Sequence, residues 1–118
     1  MHALRRWLAV AVVSSMAAWA GEAAKLTKEG EALFKEAEAL KKAKKYESAA
    51  VRLEKCVAVS PGHYPCYRLL GSVYASIGAR DQSSSDIEKA RKNYEKFLEL
   101  APPNDEYVAK VKQILAAE

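Results

Sequence analysis

Beyond position 20 the chain has no tryptophan and no methionine, histidine is reduced to His63, and cysteine to Cys56 and Cys66. The spacing Cys56-x6-His63-x2-Cys66 falls short of the four ligands of a structural zinc site, and no second CxxC or HxxxH completes it. No serine stands in a GxSxG elbow, and the carboxylates fall on solvated helix faces among lysines. Gly62, Gly71 and Gly78 form no phosphate-binding loop and read instead as turn, close-packing and helix-cap residues. An enzyme is therefore not expected, nor is a metal or cofactor, and His63 is expected at an exposed turn.

Long apolar runs are missing too. The longest, Trp7 to Ala20, covers fourteen residues, against the roughly 20 that span a bilayer as helix. It follows Arg5 and Arg6 and ends in Ala18-Trp19-Ala20 before Gly21-Glu22. A basic start, a short apolar core and small residues before the cut make residues 1–20 a secretory signal peptide. Cleavage there leaves 98 of the 118 residues. With no cysteine near the cut, lipoprotein acylation is excluded, so a periplasmic or secreted protein without stable membrane insertion is expected.

One-sided charge is also absent. The 19 basic residues, less Arg5 and Arg6, face 15 acids that all follow position 20, leaving +2. That balance gives no reason to expect nucleic acid as a partner. Lys41, Lys42, Lys44 and Lys45 cluster at the end of the first helical segment, where cations favour the C-terminal dipole.

What the chain does have is helical periodicity, in five segments with no alternating strand pattern. The expected fold is all-α. Leu26, Leu33, Ala37 and Leu40 share one face of a first helix, from about Leu26 to Lys44. Tyr46, Ala49, Ala50, Leu53, Cys56 and Val57 stripe a second, which Ser60-Pro61-Gly62 ends. A third runs from about Tyr64 to Ile77 with Gly78 as its cap, and a polar loop follows over 79–85. Ser85 and Glu88 have capping-box spacing, so a fourth helix begins there and buries Ile87, Ala90, Tyr94 and Phe97. Asn104 caps a fifth, with Asp105 and Glu106 in its first turn and Tyr107, Val108, Val111, Ile114 and Leu115 inward.

The segments repeat. Shifting residues 47–61 by 41 places Glu47 on Glu88, Ala49 on Ala90, Glu54 on Glu95, Lys55 on Lys96 and Pro61 on Pro102. The preceding helix fits a shift of 34, with Leu33 on Tyr67, Ala37 on Gly71 and Leu40 on Tyr74. The difference of seven places an insertion between Gly78 and Ile87. A 34-residue helix-turn-helix unit carrying Tyr67-x2-Leu70-Gly71-x2-Tyr74, then Ala90-x3-Tyr94, then Pro102, resembles the tetratricopeptide repeat (TPR). Tyrosine replaces the family's tryptophan, and Glu36 stands where leucine is preferred.

The resemblance implies antiparallel helix-turn-helix repeats over about 30–63 and 64–103, the second with its insertion near 79–86, and a capping helix over about 104–117. It also implies a concave groove lined by the first helix of each repeat. Phe34, Glu38, Lys41, Arg68 and Ser72 are the candidate partner-binding positions, with Phe34 either an exposed apolar anchor or a residue completing the core. The clamp with which chaperone-binding relatives hold a C-terminal carboxylate is missing at Phe34, Glu38 and Pro65. The implied function is an exported adaptor or scaffold that binds a peptide or helix of another envelope or secreted protein. The alternative is a self-associating assembly subunit of the cell envelope, such as a homodimer, whose short array is completed by a second copy. Cys56 and Cys66 flank the Pro61-Gly62 turn and are either a disulfide or two buried thiols; their spacing is not the CxxC of a thiol-disulfide enzyme.

Overall fold

A computed structural model describes residues 25–117; the signal-peptide reading of residues 1–20 lies outside that range. Five α-helices follow one another: α1 Lys28–Lys42, α2 Tyr46–Val59, α3 Tyr64–Asp81, α4 Ser84–Leu100 and α5 Val108–Ala116. Helices α1 and α2, and likewise α3 and α4, pack as antiparallel hairpins; α2 lies against α3 and α5 closes on α4. Among the described residues there is no strand, as the sequence periodicity predicted.

Each helix starts or ends for a local reason. Thr27 is extended and its side chain accepts a hydrogen bond from Gly30 N, capping α1. Lys44 takes a left-handed conformation at φ 61°, and Lys45 N–H reaches back to Leu40 O, so the chain reverses within three residues. Pro65 stands in the first turn of α3, where its missing N–H costs nothing.

The core is continuous with the apolar stripes. Ala37, Ala49, Leu53, Cys56, Cys66, Leu70 and Val73 are fully buried in one cluster across α1, α2 and α3. A second cluster gathers Tyr94, Phe97 and Val111, with Tyr64, Tyr67 and Tyr107 packed against it, and so joins α3, α4 and α5. At Gly71 an added Cβ would lie 2.6 Å from the Tyr94 ring, so the missing side chain is what lets α4 seat on α3.

Several local expectations need correction. Gly78 does not cap α3; it is buried inside the helix, where Ile87 occupies the space a side chain would need. The helix continues to Asp81 and ends at Gln82, which adopts the left-handed conformation at φ 52°. The expected polar loop is thus mostly helix, with Ser83 rather than Ser85 as the N-cap, accepting from Asp86 N. In consequence α3 and α4 have 18 and 17 residues against 15 and 14 for α1 and α2. The seven inserted residues amount to about two helical turns, and they lengthen both arms of one hairpin without disturbing its packing face. Ile87, expected to be buried, is 38% exposed at this lengthened end.

Asn104 does not cap α5, and Asp105 and Glu106 precede that helix instead of forming its first turn. Asp105 accepts from Tyr107 N, and the helix begins at Val108. His63 is not exposed but completely buried, seated where Gly30 has no side chain and a Cβ would meet its ring at 2.5 Å. Its Nδ1 accepts from Thr27 N at 3.3 Å, which leaves the proton of the neutral ring on Nε2, 3.6 Å from Glu31 Oε2. Burial lowers the His63 pKa, and the Glu31 carboxylate opposes that shift.

The sulfurs of Cys56 and Cys66 are bonded, joining α2 to α3 across the junction of the two hairpins. Gly30 O lies 3.6 and 3.8 Å from the two sulfurs, and Thr27 Oγ1 hydrogen bonds to Ser60 Oγ at 2.5 Å. The start of α1 is therefore locked onto the α2–α3 turn by Thr27, Gly30, His63 and the disulfide.

Candidate functional site

Helices α1, α3 and α5 present one common face. All five candidate partner-binding residues come to it: Phe34, Glu38 and Lys41 from α1, and Arg68 and Ser72 from α3. They are less exposed than the sequence suggested, for only Glu38 is well exposed, while Phe34, Lys41, Arg68 and Ser72 are half-buried. Phe34 packs against the first core cluster with one side and lines the face with the other, so it completes the core and floors the groove at once.

Arg68 organises the middle. Its guanidinium carbon lies 3.8 Å from the centre of the Tyr107 ring and 5.7 Å from that of Phe34. A planar cation over an aromatic face is held by the ring quadrupole. The arrangement ties the start of α5 to α3 and keeps the Arg68 head at the surface of the groove.

Two adjoining cavities share Arg68 and Tyr107 as a common wall. One, of about 300 Å³, is bordered by Glu31, Glu38, Asp105 and Glu106 above a floor that includes Phe34 and Phe97. The other, of about 180 Å³, is bordered by Lys41, Arg68 and Lys110, with Ser72 and an apolar wall of Val111 and Ile114. The groove is thus acidic on one side of the Arg68–Tyr107 pair and basic on the other. The Lys41 pKa is lowered first by burial, then by Arg68 and Lys110, with Glu38 acting in the opposite sense.

The repeat resemblance points to α1 and α3 but not to Tyr107 and Lys110. The helical periodicity places Tyr107 wholly inward and leaves Lys110 unassigned. Their signal is the third occurrence of the same helix position: α5 follows α3 as α3 follows α1, so its equivalent face completes the groove. Glu31 was passed over for a different reason, since its place beside His63 depends on a contact between residues 32 positions apart.

Among the described residues there is no group of three or more His, Cys, Asp or Glu that would hold a metal ion. No described helix is long and apolar enough to cross a membrane. The helices and their packing define an all-α protein with a repeat-like hairpin architecture. Comparison of the chain with protein-family models, with curated proteins and with solved structures finds no match in any of the three.

Proposed function

We propose that this chain is an exported, non-enzymatic binding module of the tetratricopeptide type that holds a peptide or helix of another envelope or secreted protein along the α1–α3–α5 face. The observation that carries this reading is the convergence of Phe34, Glu38, Lys41, Arg68 and Ser72 on one groove, with Arg68 stacked against Tyr107 at its centre. Such a surface offers apolar floor, an aromatic–arginine pair and peripheral charges, the composition that carries binding energy at protein interfaces. A rigid scaffold makes that presentation inexpensive in entropy, because the groove residues sit on packed helices. The Cys56–Cys66 bond supports export, since disulfides persist in oxidising compartments.

The test is capture from an envelope extract of the source cell on the immobilised chain, beside a Phe34→Glu, Arg68→Glu variant. A protein retained by the first and lost by the second supports the adaptor.

A self-associating subunit is the second reading, favoured by the outer face of the first hairpin. Val51 of α2 is 63% exposed, and Ala39 and Leu40 border, with Glu36 and Arg52, a shallow depression of about 350 Å³. A repeat array buries such faces by stacking. A mass in solution twice that of the monomer, reduced to the monomer value by Val51→Glu and unchanged by the groove variant, supports the subunit reading over the adaptor.

A further inference from the structure

Of the four described arginines, Arg52 pairs with Glu36, Arg80 with Glu47 and Asp81, and Arg91 with Glu88 and Glu95. Arg68 alone makes no ion pair among the described residues, and neither do its neighbours Lys41 and Lys110. Three cations thus border one small cavity that no carboxylate enters. Gathering like charges around a half-buried lysine is unfavourable: burial first, and then Arg68 and Lys110, lower the Lys41 pKa, with Glu38 opposing them. Such an arrangement is relieved by an anion arriving from outside.

The adjoining cavity has the opposite excess. Glu38 and Glu106 border it without an ion pair among the described residues, and Glu31 pairs with no lysine or arginine there, lying 3.6 Å from His63 Nε2. From Glu31 to Lys41 is ten residues of α1, a rise of about 15 Å. The apolar surface between the charged ends is that of Phe34 and Tyr107, on either side of Arg68.

We propose that the groove selects a partner segment of fixed charge polarity, with an acidic side chain seated on Lys41, Arg68 and Lys110 and a basic one beside Glu31, Glu38 and Glu106. The inference rests on the groove reading above and adds to it the chemistry and direction of the occupant. The span of about 15 Å corresponds to about ten residues of helix or about four to five of extended chain. The carboxylate is the anion assigned to the basic cavity, because a peptide occupant brings the cation for the acidic cavity on the same chain.

The experiment is selection of a phage-displayed library of random peptides, each about twelve residues long, on the full chain and on the Lys41→Glu, Lys110→Glu variant. Circular dichroism and a thermal melt check that the variant is folded. On the original chain the enriched peptides carry Asp or Glu at one position and Lys or Arg at the stated spacing from it. On the variant the acidic position becomes basic. A synthetic peptide of the leading sequence binds the original chain at least about tenfold more tightly, and the margin shrinks with added salt.

Enriched peptides with no acidic position, or the same preference on both proteins, overturn the polarity while leaving the groove reading in place. Failure to enrich any peptide on the original chain overturns both. If inorganic phosphate or anionic lipid vesicles displace the leading peptide while an acetylated glutamate amide does not, the carboxylate assignment falls.

Discussion

The first hairpin buries small side chains and the second buries rings. Between α1 and α2 lie Ala37, Ala49, Ala50 and Leu53, whereas α4 brings Tyr94 and Phe97 against α3 and α5. Small residues let two helices approach closely but supply little apolar area, so the first hairpin depends on ties at its open end. Those ties are Thr27, Gly30 and His63 at the start of α1, and the Cys56–Cys66 bond to its neighbour. The second hairpin shares the disulfide through α3, but its helices are longer and Phe97 is buried by residues of α3, α4 and α5 together. Stability is therefore supplied more by area in one half and more by cross-linking in the other.

Replacing the largest buried ring tests the first half of that contrast. Phe97 is 1% exposed, and Phe97→Ala is expected to cost about 3–5 kcal/mol, measured by urea unfolding. A loss under about 1 kcal/mol would mean the aromatic cluster is dispensable. The second half is tested by removing the staple. Cys56→Ala with Cys66→Ala is expected to cost about 2–3 kcal/mol for a loop of this length. That loss should equal the effect of reductant on the original chain, and reductant should leave the double variant's unfolding midpoint unchanged.

How far this was legible in the sequence depended on the range of the cause. Helix number, hairpin pairing and the stripes of Leu53, Leu70, Tyr94 and Phe97 follow from spacing within a segment, and all are present. The five groove positions follow from the resemblance to the tetratricopeptide repeat, and they line two adjoining cavities. The termini of the inserted stretch were misread because glycine and serine are ambiguous locally. Gly78 looks like a cap when only its helix is considered, and becomes a packing residue once Ile87 lies over it. Three consecutive serines offer three N-caps, and tertiary placement of α4 selects Ser83. His63 was illegible in isolation, since its pocket is the absent side chain of a glycine 33 positions earlier.

The choice among serines gives a smaller, sharper test. Ser83→Ala removes the acceptor for Asp86 N and is expected to cost about 1 kcal/mol. Ser85→Ala lies on an exposed helical position and should change the unfolding free energy by less than about 0.5 kcal/mol. Equal effects would return the cap to Ser85 and shorten α4.

The smallest effect concerns His63, where two influences oppose one another. Burial lowers its pKa below the ordinary 6.5, and Glu31 pulls it back up. With the folded-state pKa the lower one, the unfolded chain binds more protons as pH falls through 6.5. Stability is then fully present above that value and declines below it. Glu47, Asp81 and Glu88, whose arginine partners hold their pKa values low, still carry their charge there. Unfolding midpoints between pH 7.5 and 5.5 thus isolate the histidine among the described residues. Glu31→Gln removes the opposing influence, so this variant should lose more stability than the original chain over the same interval. An equal loss would show that the Glu31 carboxylate, 3.6 Å from Nε2, is too well solvated to act on the ring, and that the α1 latch is held by shape rather than charge.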